Sequence, residues 1–164
     1  MEDMKMLRLL SFNLQNSEEW EKFYEIFSAY LEEVCDEEEY KENIDDLHNE
    51  KLNNQMIEQT RQRHNPYFVR QIVLDETVVG LISYSYNEEK NLGFINNFYI
   101  YPKHRNAGIG TSAYMMAETH LKELGSAHIE LIPVCKAKQF YIRNGFDVFR
   151  AADDGEWIYR KTIN

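Results

Sequence analysis

The chain has 164 residues, 43% hydrophobic and 13% aromatic, which suits one globular domain over 1–164 with a sizeable core and argues against disorder. No apolar run approaches the roughly 20 residues of a membrane helix, and the opening residues 1–5 lack a signal-peptide pattern. The net charge of −10 is uneven: residues 1–60 carry 5 basic and 17 acidic side chains (−12), residues 61–164 carry 13 and 11 (+2). An acidic first third speaks against nucleic acid or an anionic membrane as partner and favours cations; its plainer reading is a set of solvated helix faces. Cys35 and Cys135 have no metal spacing, as expected of a reduced, cytoplasmic chain.

In chain order, residues 6–12 read as a first strand. Ser17 is placed to cap a helix, with Glu18, Glu19 and Glu21 in a first turn that the helix dipole favours. Trp20, Phe23, Tyr24, Phe27, Leu31 and Val34 then recur at three- and four-residue steps. Residues 36–39 break the pattern, and a second helix carries Tyr40, Ile44, Leu47, Met56 and Ile57. It ends before Asn65-Pro66, because a residue preceding proline avoids the helical region; its polar middle, residues 49–55, is a candidate break. Residues 67–74, 77–86 and 92–101 switch to a period of two and read as three consecutive antiparallel strands. A helix over 108–124 closed by Gly125, a strand over 128–134, a short helix over 135–144 closed by Gly145, and strands over 146–150 and 156–162 complete a mixed α/β chain on one sheet.

The most informative stretch is Tyr99-Ile100-Tyr101-Pro102-Lys103-His104-Arg105-Asn106-Ala107-Gly108-Ile109-Gly110-Thr111: a strand end, a basic turn with two glycines, then a helix N-terminus. Glycines let backbone N–H groups close on an anion, and a helix start supplies open donors and partial positive charge, so the stretch reads as a phosphate site. Residues 108–113 formally match the dinucleotide fingerprint G-x-G-x-x-A, with Glu130 about 20 residues on. That reading fails on the six residues between strand and first glycine, on the antiparallel strands before it, and on the lack of a role for Arg105.

Arg105-Asn106-Ala107-Gly108-Ile109-Gly110 is R-x-x-G-x-G, which resembles the acyl-CoA pyrophosphate loop of the GNAT superfamily of N-acyltransferases. Ala137-Lys138-Gln139-Phe140-Tyr141-Ile142-Arg143-Asn144-Gly145-Phe146 resembles that family's A-x-x-F-Y-x-x-x-G-F helix. The resemblance implies a mostly antiparallel sheet of about seven strands with a splayed, bulged central strand, and about four helices. It implies acetyl-CoA as acyl donor, with Phe98, Tyr99 and Ile100 beside pantetheine. Backbone N–H groups of Arg105, Asn106, Ala107, Gly108, Ile109, Gly110 and Thr111 would take the pyrophosphate; Lys103 and His104 reach for phosphates or simply for solvent. Tyr141 matches the general acid, since a phenol with pKa about 10 can hand a proton to a departing thiolate; packed beside Phe140, it is also a plain core tyrosine. A backbone N–H near Ile100 would stabilise the oxyanion.

Two departures matter. Asn96 and Asn97 stand where many members carry a carboxylate base, leaving Glu130, Tyr84 and Tyr86 as substitutes, a water chain in their place, or the amine arriving neutral. Val134 stands where an asparagine is common. The expected activity is acetyl transfer from acetyl-CoA to a primary amine, either a small cationic amine or a lysine or N-terminal amine. The rival is a non-catalytic acyl-CoA sensor or interaction module on the same fold. A homodimer is implied only by the resemblance. His48, His64, His120 and His128 lack partner spacing, so no metal is expected.

Overall fold

A computed structural model describes residues 5–163; residues 1–4, most of the stretch read as lacking a signal peptide, lie outside the described residues. The order is β1 (Leu7–Ser11), α1 (Ser17–Val34), α2 (Glu37–Leu47), α3 (Glu50–Arg61), β2 (Tyr67–Leu74), β3 (Thr77–Asn87), β4 (Leu92–Ile100), α4 (Ile109–Leu124), β5 (His128–Leu131), α5 (Lys138–Arg143), β6 (Asp147–Ala151) and β7 (Trp157–Thr162), with 3-10 turns at Pro102–His104 and Cys135–Ala137. Among the described residues there are five α-helices, where about four were expected. The expected second helix is two, divided at His48-Asn49, because Asn49 turns its side chain back to accept from the Leu52 N–H (3.2 Å) and starts α3 afresh.

Two other helix starts differ from expectation for the same reason. Asn16, not Ser17, caps α1: its Oδ1 accepts from the N–H groups of Glu18 and Glu19, both at 3.1 Å. Asp36 caps α2 by accepting from the Glu39 N–H at 2.8 Å, so Glu37, Glu38 and Glu39 form a first turn, where negative charge meets the positive end of the helix dipole. No described helix is long and apolar enough to cross a membrane.

One seven-stranded sheet runs in the order β1-β2-β3-β4-β5-β7-β6. Only β4 and β5 are parallel; the other pairs are antiparallel. Alternation along the strands feeds two cores. On one face Ile72, Ile82, Tyr84, Ile95 and Ile100 meet Ala113, Ala117 and Leu121 of α4 and Tyr141 of α5. On the other, Val69, Leu81 and Tyr99 meet Phe23, Ile26 and Leu31 of α1 and Leu47 of α2. A fully buried leucine such as Leu81 or Leu121 contributes about 2 kcal/mol by area removed from water, and α1 and α4 are held to the sheet in this way.

The feature that prepares a site is the parting of β4 from β5. Their ladder covers only Leu92–Ile95 against His128–Leu131. Two local causes end it. Asn96 is an extra residue in β4, since Ser83 pairs with Asn97 and Tyr84 with Ile95, and such a bulge bends its strand. On the other side Pro133 follows β5 by two residues, and a proline has no N–H to continue a ladder. Residues 96–100 of β4 are therefore left without a neighbour on the β5 side.

Candidate active site

A cleft of about 700 Å³ occupies this opening. One wall is β4 through Phe98, Tyr99 and Ile100, the floor of one end is the loop from Arg105 to Thr111, and the opposite wall is Val134–Ala137 and α5 with Phe140, Tyr141 and Arg143. The last turn of α1 closes it with Tyr30, Glu33 and Val34. The two motifs read from the sequence thus face each other across one space.

The β4 wall presents bare peptide groups. The Tyr101 N–H donates to Val79 O at 2.9 Å, so by strand alternation the peptide groups of Tyr99 and Tyr101 face β3, while those of Phe98 and Ile100 face the gap. The Ile100 carbonyl is taken, accepting from Arg105 Nε at 2.8 Å. The N–H groups of Phe98 and Ile100 remain for an extended ligand or a developing oxyanion. Tyr99 borders the cleft but sends its side chain into the core under α1.

The loop wall is built from backbone. Asn106 (φ +64°) and Gly108 (φ +78°) both take the left-handed region, which turns successive N–H groups inward as an anion-binding nest. Gly108 caps α4 with no side-chain hydrogen bond, and the first turn of α4 holds no acid. Among the described residues no backbone acceptor meets the N–H groups of Asn106, Ala107, Gly108, Ile109, Gly110 or Thr111 outside the loop's own helix. Arg105 differs from the expectation placed on it: its N–H donates to Pro102 O at 3.2 Å, and its guanidinium is bound to Glu33. A Cβ on Gly110 would lie 3.4 Å from the Phe140 ring, so its bare Cα keeps the loop open towards α5. The charged side chains lining the cleft are Arg105, Lys136, Arg143 and Glu33. In a chain of net charge −10, this excess of positive charge marks an anion's place. Lys103 and His104 lie in the preceding 3-10 turn and do not line the cleft.

Tyr141 sits in α5 with 7% of its surface exposed. Its ring meets Phe140 and Phe146 edge-on, with centroids 5.2 and 5.6 Å apart. Among the described residues its hydroxyl has no hydrogen-bond partner, and the residue lines the cleft. Burial, and then the neighbouring Tyr30 phenol, push its pKa well above that of a free tyrosine. Tyr30, across the cleft on α1, is itself raised to about 12, by burial and then by Cys35.

The substitutes named for a base do not reach this space. Glu130 is buried and accepts from Arg160 Nε and a terminal guanidinium nitrogen at 2.9 and 2.6 Å, binding β5 to β7. The Tyr84 hydroxyl pairs with His120 Nδ1 at 2.7 Å, and the Tyr86 hydroxyl donates to Asn91 Oδ1 at 3.3 Å. At the bulge, Asn97 Nδ2 donates to Ser83 Oγ at 3.0 Å and Ser85 Oγ donates to Asn96 Oδ1 at 3.2 Å, a neutral polar patch. Val134 does line the cleft, offering no side-chain hydrogen bond there. His48, His64, His120 and His128 pair with Tyr24, Glu88, Tyr84 and Thr162.

Sequence reasoning missed Glu33, Lys136 and Arg143. Tyr30, Glu33 and Val34 share one helix face by their spacing, but spacing does not say what the face meets. Lys136 immediately precedes the second motif and Arg143 lies within it, seven residues on, and both line the cleft.

A parted parallel pair, a left-handed turn leading into a helix start and a buried phenol thus meet in one cleft. A sequence model of the acetyltransferase (GNAT) family matches residues 20–146, and the chain belongs to that family. Among solved structures, the PaiA N-acetyltransferase of Thermoplasma acidophilum, in complex with coenzyme A, is 22% identical, with TM-score 0.74 over 98% of this chain and 100% of that one. Tetrahymena GCN5 is 10% identical, with TM-score 0.67 over 96% of each chain. A GNAT acetyltransferase of Staphylococcus aureus is 16% identical, with TM-score 0.68 over 97% of this chain and 100% of that one. No curated protein matches the chain in sequence.

Proposed function

We propose that this enzyme moves the acetyl group of acetyl-CoA directly to a primary amine in a ternary complex, with Tyr141 as general acid. The single observation that carries the reading is the phenol of Tyr141 in the opening between β4 and β5, without a hydrogen-bond partner among the described residues. The Thermoplasma relative's complex with coenzyme A supports the same ligand here. The pyrophosphate lies over the N–H groups of residues 106–111, and pantetheine runs along Phe98 and Ile100. The thioester carbonyl meets one of the two free β4 N–H groups, which stabilises the oxyanion as the amine attacks. Tyr141 then protonates the leaving thiolate.

The acceptor is a small cationic amine or a lysine or N-terminal amine. The support is electrostatic: α1 and α2 bring Glu32, Asp36, Glu37, Glu38 and Glu39 to the end of α1 that borders the cleft. Because the bulge carries asparagines, the amine gives up its proton to water before attack. The enzyme works in the cytoplasm, where Cys35 and Cys135, both free, stay reduced. It forms a homodimer through β6 and β7, whose Val148, Phe149 and Trp157 are about half exposed.

A second reading, an acyl-CoA sensor without turnover, is favoured by that same absence of a carboxylate at Asn96 and Asn97. Thiol release from acetyl-CoA, followed against a panel of polyamines, lysine peptides, neutral amines and acidic amines, tests both. Turnover with the first two classes is expected. Turnover confined to neutral or acidic acceptors sinks the acceptor assignment; none with any amine, while acetyl-CoA still raises the melting temperature, favours the sensor.

A further inference from the structure

Glu33 and Arg105 are 72 residues apart in sequence and meet over the cleft. Both carboxylate oxygens accept from the guanidinium, Oε1 from Nη1 at 2.7 Å and Oε2 from Nη2 at 2.6 Å. The third edge of the guanidinium, Nε, donates to Ile100 O at 2.8 Å, and its Cζ lies 5.4 Å from the Tyr99 ring centroid. Three of its five N–H donors are thus committed, and its charge is matched. The arginine of the R-x-x-G-x-G stretch cannot turn to a phosphate without breaking a bidentate fork. It ties together three separate parts of the cleft: the last turn of α1, the end of β4 and the start of the anion loop.

We propose that Glu33 is a positioning residue for the acyl donor: by holding Arg105 in this fork it fixes the 105–111 loop and the end of α1 as one frame around the bound coenzyme. The inference rests on the coenzyme reading above. It has an opposite in simple electrostatics. Glu33 is the one carboxylate among the charged residues that line the cleft, beside Arg105, Lys136 and Arg143. If it acted only as a charge, its removal would tighten binding of a polyanion. As a frame, its removal weakens binding, because the loop must then be ordered at the expense of binding energy. The fork is partly exposed, with side chains 36% and 28% accessible, so its worth to global stability is small.

The test is calorimetric titration of the full chain with coenzyme A, for the unaltered protein, Glu33→Gln, Arg105→Lys and the double variant. Glu33→Gln is expected to weaken binding about tenfold. The double variant should be no weaker than the worse single one, the non-additivity of residues that act through one contact. Melting temperatures should stay within about 4 °C of the parent. In turnover the effect should fall on KM for acetyl-CoA more than on kcat. Glu33→Gln binding as tightly as the parent, or more tightly, overturns the proposal, and so does simple additivity. An unaltered chain that gives no heat with coenzyme A overturns the coenzyme reading and this inference with it; binding that Glu33→Gln leaves unchanged overturns this inference alone.

Discussion

A tyrosine can serve as an acid only if it keeps its proton until the thiolate forms, which a phenol of ordinary pKa already does near neutral pH; burial raises the pKa of Tyr141 further and leaves it a weaker donor. Its raised pKa, caused first by burial and then by Tyr30, keeps the phenol loaded across the physiological range. Tyr141→Phe should lower kcat about 100-fold, the usual scale for one proton-transfer group, while coenzyme A affinity by titration stays unchanged. An equal loss in both would make the residue a binding contact. The absence of a carboxylate at Asn96 and Asn97 gives a second expectation. The rate at subsaturating amine should climb about tenfold per pH unit as the amine loses its proton, with no falling limb below about pH 10, because the phenol is still protonated there. A rising limb that levels near pH 6 or 7 whatever the amine's own pKa would reveal a protein base.

At the level of elements, the site depends on two short interruptions. One is the bulge and proline that part β4 from β5; the other is the left-handed turn before α4. Gly108 isolates the second. No atom lies within 4 Å of a Cβ built there, yet φ is +78°, so Gly108→Ala meets no clash and suffers only the backbone cost of about 1 kcal/mol. Denaturant unfolding should show that loss, and coenzyme A affinity should fall with it as the nest relaxes; an unchanged affinity would mean the loop is not the anion site. This turn was legible in the sequence, because glycine spacing after a proline-ended strand encodes it locally. So were Tyr141 and the strand pattern, each set by residues near in the chain. The division of α2 from α3 was half legible: the polar 49–55 stretch suggested a break, but the cap at Asn49 fixed where. Glu33 was not legible, because it enters the cleft only through the docking of α1 on the sheet. Glu130 misled for the same reason, since its partner Arg160 lies 30 residues away in β7.

The whole molecule stores much of its apolar burial in tyrosines, and this sets its behaviour in alkali. Tyr30 and Tyr84 are pushed up to about 12, Tyr30 by burial and then Cys35, Tyr84 by burial against an opposing Arg70. Tyr114 and Tyr141 are raised further, burial again being the first cause. A group whose folded pKa exceeds its unfolded value stabilises the fold fully below the unfolded value and loses that effect as pH rises through the folded one. Stability should therefore hold to about pH 10 and fall steeply between about 10 and 12. Helical circular dichroism should be lost over that range; a chain that keeps its full helical signal beyond about pH 12 would contradict it.

At this same scale the proposed reading gives the two faces of the sheet different purposes: the α4 and α5 face anchors the donor site, and the acidic α1 and α2 face borders it on the acceptor side. A crystal structure with coenzyme A tests that division most directly. The account predicts the pyrophosphate over the N–H groups of residues 106–111, pantetheine paired with Phe98 and Ile100, and the sulfur within hydrogen-bond reach of Tyr141 Oη. A pyrophosphate bound elsewhere, or a sulfur beyond that reach with the cleft filled, would contradict it.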